Sequence, residues 1–321
     1  MLSKILSFIF MLILSLSSIL DTPLYGYESK QLICDNNFEN GFYVLSQQAV
    51  NNASVKLGEF KYSDSTHSPS WMIAQWNSGP CLWAEKAESD KYTITDGKTK
   101  WVTYNPVDNS VSMRLNAANV YNGAPAGETE WPHLLLEQSP IRDYSVMTDE
   151  EKAFYSCDSD HLVMSLDIKI SEFIDTTNAD GINAVQYLAY FYMSAVDGSN
   201  FIWFGVNLFD SRGYQDTYWA PDSVGGLMIY SLSTKDTYGL NCRSLYRNGK
   251  PYVSDEWVHI EIDLAPHIDK LIKEANKSGV YSEQIRADDF YISGTNIGFE
   301  THGNYDCTVE IKDFNLTSYN K

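Results

Sequence analysis

Leu162-Val-Met-Ser-Leu-Asp-Ile-Lys-Ile170 decides the fold class. Leu162, Met164, Leu166, Ile168 and Ile170 share one parity, and Val163, Ser165, Asp167 and Lys169 take the other. A period of two sends one row of side chains into a core and the other toward water, which is the pattern of a strand buried on one face. Trp257-Val-His-Ile-Glu-Ile-Asp-Leu264 repeats it, with Val258, Ile260, Ile262 and Leu264 inward and Trp257, His259, Glu261 and Asp263 outward. Outward from these two, the same test predicts strands at Val55–Phe60, Trp71–Trp76, Tyr92–Thr95, Lys100–Tyr104, Val111–Asn116, Leu134–Gln138, Gln186–Met193, Ile202–Phe209, Leu227–Ser231, Ile297–Glu300 and Thr308–Thr317.

Gln186–Met193 and Ile202–Phe209 carry aromatic residues on both parities: Tyr187 and Phe191 against Tyr190 and Tyr192, then Trp203 and Phe209 against Phe204. Such strands belong in mid-sheet, one face toward the core and the other toward a groove or a covering loop. Val196-Asp-Gly-Ser-Asn200 between them predicts a hairpin turn. Near Lys312–Asp313 the apolar parity switches from Val309 and Ile311 to Phe314 and Leu316, which predicts a bulge. Two helices interrupt the strands. Thr148-Asp-Glu-Glu151 is a capping box that leads into Lys152–Tyr155, and Pro266 opens a helix with Ile268, Leu271, Ile272 and Ala275 on one stripe, ending at Gly279. The expectation is an all-β fold: a two-sheet antiparallel β-sandwich of jelly-roll type with short peripheral helices.

Ile5 to Leu20 is an apolar leader behind Lys4, with Ser15, Ser17 and Ser18 toward its end, the layout of a secretory signal peptide. The rival reading is a membrane anchor, for which the run falls short of the roughly 20 residues a bilayer needs. The expected organisation is a signal peptide over residues 1–20 and one sandwich domain over 21–321, secreted and free of the membrane after cleavage. Lys and Arg number 23 against 42 Asp and Glu, for a formal charge of -19, so nucleic acid is disfavoured as a partner by long-range repulsion from its phosphates. Cys34, Cys81, Cys157, Cys242 and Cys307 form no CxxC or CxxH pair, which argues against zinc; Cys34 and Cys307, near the two ends, are a candidate disulfide. Asn52, Asn276 and Asn315 begin glycosylation triplets.

The many strands, the heavy use of Trp and Tyr, and the closing pair Ile297-Gly-Phe-Glu300 and Thr308-Val-Glu-Ile-Lys-Asp-Phe-Asn-Leu-Thr317 resemble the concanavalin A-like lectin and glucanase superfamily. That resemblance implies a polysaccharide ligand in a groove across the concave sheet. One glucanase pattern, Glu-x-Asp-x-x-Glu, is interrupted here: Glu261-Ile-Asp263-Leu-Ala-Pro266 has proline at the third carboxylate, so no catalysis is assigned to Glu261 or Asp263.

Three strand ends carry polar groups beside apolar neighbours: Trp131-Pro-His133-Leu-Leu-Leu-Glu137-Gln138, Phe204 to Arg212, and Ile297 to Gly303. Desolvation makes an unpaired charge costly there, so these groups pair with each other or face a ligand. The functional expectation puts Tyr190, Tyr192 and Trp203 against sugar rings and Gln138, Asn207, Asp210, Arg212 and His302 on hydroxyls, with Glu137 and Glu300 as the catalytic carboxyls in the case of hydrolysis. The plain structural expectation is an Asp210–Arg212 surface pair, solvated glutamates and Trp203 in the core. Parity allows only one of Glu137 and Gln138 to reach a groove. No cofactor is expected; the acidic loops Asp175–Asp180 and Asp216–Asp222 offer oxygen ligands for structural calcium, although neither has an established loop spacing. The leading functional expectation is a secreted carbohydrate-binding protein; the alternatives are a glycoside hydrolase or polysaccharide lyase on the same scaffold, and a surface protein without small ligand.

Overall fold

A computed structural model describes residues 26–47, 54–62, 65–82, 88–89, 91–122, 131–177, 183–221, 228–233 and 241–321. The leader, Asn52 and Ala53 of the first glycosylation triplet, and the later parts of both acidic loops lie outside them. The described strands are β1 (Glu28–Gln31), β2 (Phe42–Leu45), β3 (Lys56–Phe60), β4 (Trp71–Ala74), β5 (Glu88–Ser89), β6 (Thr93–Thr95), β7 (Lys100–Asn105), β8 (Ser110–Asn116), β9 (His133–Gln138), β10 (His161–Asp175), β11 (Ala184–Ala195), β12 (Phe201–Asp210), β13 (Tyr218–Pro221), β14 (Met228–Leu232), β15 (Tyr246–Arg247), β16 (Lys250–Pro251), β17 (Val258–Asp263), β18 (Phe290–His302) and β19 (Tyr305–Asn320). Helices α1 (Ala117–Val120), α2 (Asp149–Tyr155) and α3 (Ala265–Ser278) join them.

Two sheets hold nearly all of these strands. One runs β17-β10-β19-β8-β7-β6-β5, with β1 also on β19; the other runs β13-β14-β12-β11-β18-β9-β4-β2-β3. Their inner faces meet in one large apolar core that includes Trp71, Leu134, Leu136, Tyr187, Phe191, Phe204, Ile297 and Phe299 from the nine-stranded sheet. Met164, Leu166, Ile168, Ile260, Val309, Ile311 and Phe314 supply the facing layer. The alternation of 162–170 and 258–264 is therefore sandwich packing, as the sequence predicts.

Local signals are also met. Thr148 and Glu151 form the capping box of α2. Pro266 lies in the first turn of α3, whose stripe of Ile268, Leu271, Ile272 and Ala275 is buried, and Gly279 ends it in the left-handed conformation at φ 73°. The β10–β19 register shifts between Ser165/Asn315 and Asp167/Lys312, and Asp313 takes φ 52°, which is the bulge that lets Ile311 and Phe314 both face inward.

Three expectations change. The sheets are not antiparallel throughout: β2–β4 and β12–β14 run parallel, because in each case the chain passes through an edge strand, β3 or β13, before returning beside the earlier strand. Cys34 and Cys307 are both free thiols, the first exposed and the second buried on β19 between β10 and β8. Strands β1, β2, β5 and β13, together with the short β15–β16 pair, are absent from the predicted strands; each has four or fewer residues, a length at which a period of two gives a weak signal. No helix among the described residues is long and apolar enough to cross a membrane.

β18 approaches β9 so closely at Gly298 that a Cβ there would collide with the Leu134 carbonyl oxygen, and its φ of 153° suits glycine alone. Gly298→Ala is expected to lower unfolding free energy by about 1–3 kcal/mol in a denaturant titration, the usual cost of overpacking. An unchanged midpoint would show that the two central strands do not meet this tightly.

Candidate functional site

Parity sorts the central strands of the nine-stranded sheet into two faces. On β9, Leu134, Leu136 and Gln138 turn inward while His133, Leu135 and Glu137 turn outward. Gln138 is thus removed from the outer face: its amide accepts from Cys34 N at 2.9 Å and donates to Cys34 O at 2.7 Å, tying the β1–β2 connection to β9. The other sequence-predicted site residues share the outer face. Register sets Glu137 opposite Asn296, Asn296 opposite Tyr190, Tyr192 opposite Trp203, and Glu300 opposite Gln186, which in turn faces Asp210.

Glycines shape this face. A Cβ at Gly205 would strike the ring of Tyr190, and one at Gly294 would strike the ring of Tyr192, so both tyrosines lie flat over the neighbouring strands. Trp203 stands edge-on to them, with ring centroids 6.0 Å from Tyr190 and 4.6 Å from Tyr192. Phe201 packs edge-on against Trp203 at 5.0 Å. Trp203 and Tyr190 are half-buried, so this aromatic floor belongs to the outer face and not to the core.

Leaning toward β18, Tyr192 carries its hydroxyl to Glu137. Asn296 Nδ2 donates to the Tyr192 hydroxyl at 3.1 Å, and that hydroxyl donates to the Glu137 carboxyl. Glu137 Oε2 and Asn296 Oδ1 are shut from solvent without a hydrogen-bond partner. Loss of water around the half-buried Glu137 outweighs the Tyr192 hydrogen bond and pushes its pKa from 4.5 up to about 7. Burial, with the Glu137 charge adding to it, drives the Tyr192 phenol well above its ordinary range, so it stays a neutral donor.

A second, polar zone lies further along the same strands. His133 Nε2 is 3.5 Å from Glu300 Oε1, and His133 Nδ1 is shut from solvent without a partner. Asp210 is held by Arg212 through paired contacts of 2.9 and 2.7 Å, and accepts from Gln186 Nε2 at 2.9 Å. The Asp210 hydrogen bond and charge raise the Arg212 pKa above its usual value. A bulge at Leu188/Asn207 turns Asn207 and Asp210, three apart in sequence, onto one face, and Asn207 Oδ1 is left without a partner. His302 packs against Trp131 with centroids 5.0 Å apart.

The structure brings Glu137 together with Tyr192, and Glu300 together with His133, but not the two glutamates with each other. Glu300 stands four register positions from the residue opposite Glu137, about 13 Å along the strand at 3.3 Å per residue. Asn296 and Gln186 were missed in sequence; Asn296 shares its parity with Glu300 and His302 on one strand, and that was the available signal. Glu261 and Asp263 lie at the edge of the other sheet, where Asp263 pairs with His161 at 2.7 Å. Asp175 accepts from Thr177 N in a local turn, and no group of three or more His, Cys, Asp or Glu fit to hold a metal occurs among the described residues.

No family model and no curated protein matches the chain. Similar solved structures include the endoglucanase Cel12A of Rhodothermus marinus, at 12% identity over 73% of this chain and 89% of that one, with a TM-score of 0.37. The family 12 xyloglucanase of Bacillus licheniformis is 8% identical over 72% and 96%, with a TM-score of 0.38. Endoglucanase 3 of Trichoderma harzianum, from glycoside hydrolase family 12, is 8% identical over 92% and 99%, with a TM-score of 0.37. At these identities and TM-scores the likeness transfers no residue role to this chain.

Glu137 also sets a stability signature. Its folded pKa of about 7 lies above the 4.5 of an unperturbed glutamate, so the stability tied to its neutral form is complete below pH 4.5 and is lost as pH rises through about 7. Glu137→Gln keeps a neutral side chain of the same shape. Its melting temperature relative to wild type is expected to climb between pH 5 and pH 8, as read by calorimetry; a pH-independent difference would place Glu137 in water.

Proposed function

We propose that this chain is an exported, carbohydrate-active protein of the glycoside hydrolase type, with Glu137 as the proton donor on the outer face of the nine-stranded sheet. The carrying observation is a half-buried carboxyl with a pKa near 7, one oxygen without a partner, set beside flat-lying tyrosines. A carboxyl that keeps its proton close to neutrality is suited to protonating a leaving glycosidic oxygen. Aromatic faces match the C–H faces of sugar rings, and Asn296 Oδ1 and Asn207 Oδ1 are buried acceptors without a partner. The apolar leader Ile5 to Leu20 supports export.

Binding without turnover is the second reading, and one observation favours it. A hydrolase of the two-carboxylate kind needs its groups about 5–5.5 or 6.5–9.5 Å apart, and Glu300, the other glutamate on the central strands of this face, is set four register positions along the strand, about 13 Å between backbones. A lyase acting on uronates gains less support. Its cationic neutraliser would have to be Arg212, whose fork is already engaged by Asp210.

Xylan, xyloglucan and cellulose-derived oligosaccharides, assayed for reducing-end release and for binding, separate these readings. Hydrolysis is expected, with kcat/KM falling as pH rises through about 7 as Glu137 of the free protein loses its proton. Glu137→Gln should lower kcat by roughly 100-fold or more while binding persists. Binding with no turnover in wild type selects the second reading, and neither binding nor turnover on any glycan refutes the carbohydrate assignment.

A further inference from the structure

The register that surrounds Glu137 continues to one edge of the sheet. Asn296 lies opposite Tyr190, Tyr190 opposite Gly205, Gly205 opposite Ser231, and Ser231 opposite Tyr218 on the edge strand β13. Directly paired residues share a face, so all of them stand on the same side as Glu137. Burial agrees with this assignment on β14, where Met228, Tyr230 and Leu232 are core residues and Ile229 and Ser231 alternate with them. Five strand spacings separate Glu137 from Tyr218, about 24 Å at 4.8 Å each.

Along this row the sheet is low. Gly205 carries no side chain, Ser231 is small, and the Tyr190 ring lies flat across Gly205. At its end Tyr218 is 57% exposed, although a tyrosine ring is a large apolar surface. The opposite edge differs: Tyr43, two strands beyond Glu137, has Lys56 Nζ 3.7 Å from its ring centroid, so a ring face there is already occupied.

We infer that Tyr218 is a distal stacking subsite for an extended glycan chain, which crosses the strands from Glu137 over Tyr190 and Gly205 toward β13. The occupant is the remote part of the same polysaccharide that reaches Glu137, so the inference rests on the carbohydrate reading. Its basis is the unbroken register from a site with unpartnered acceptors to an exposed ring at the sheet edge. A chain lying this way extends further on the β13 side of Glu137 than on the β3 side. Short oligosaccharides fill the row near Glu137 and do not arrive at Tyr218.

The test is a set of affinities, by calorimetry, for xylan- and cellulose-derived oligosaccharides from disaccharide to hexasaccharide. Wild type is expected to gain affinity with length. Tyr218→Ala should lose about tenfold for the longest members and stay within twofold for the shortest, while Tyr218→Phe keeps the ring and the gain. A Tyr218→Ala variant with an undiminished length gain overturns the distal subsite and leaves the carbohydrate reading standing. Failure of wild type to bind any member at any length overturns both. Equal weakening at all lengths, with an unchanged melting temperature, also contradicts the inference, because it would place Tyr218 near the short-chain site.

Discussion

Cross-strand register in the nine-stranded sheet is the constraint on which the candidate site depends. Glycine at 205 and 294 leaves room for Tyr190 and Tyr192 to lie along the sheet rather than stand from it. Only in that posture does the Tyr192 hydroxyl extend to Glu137 and meet the Asn296 amide. A slip of one residue between β11 and β18 would move both tyrosines into the core and bring Phe191 and Met193 out. The apolar inner face that prevents such a slip therefore also fixes the site's chemistry.

Burial then works in two ways on the same face. Around Glu137 it removes water without supplying a cation, so the neutral carboxyl is favoured and a titratable proton is held near neutral pH. Around Asp210 the deficit is met by Arg212, Gln186 and the Arg212 backbone amide, and these contacts lock the chain where β12 ends. Two acidic residues on one sheet face thus take different roles because only one of them has a charged partner.

Much of this was legible in the sequence because period-two alternation reports burial directly. The two long runs at 162–170 and 258–264, the bulge before Phe314, and the caps of α2 and α3 depend on local pattern, and each appears where the pattern puts it. Parity also chose correctly that Glu137 and Gln138 face opposite ways. What stayed hidden depends on pairing between distant segments. Nothing near Glu137 indicates that Asn296 lies opposite it, that glycines lie under Tyr190 and Tyr192, or that Glu300 falls four positions away. The parallel placement of β4 beside β2 and of β14 beside β12 was hidden for the same reason.

The central claim is that Glu137 keeps its proton close to neutral pH within the folded sheet. Difference infrared spectroscopy of the carboxyl band, wild type minus Glu137→Gln across a pH series, measures this directly. The account predicts a single protonated carboxyl in the difference that titrates near pH 7. A difference band that has already ionised by about pH 5, as for a glutamate in water, would contradict it.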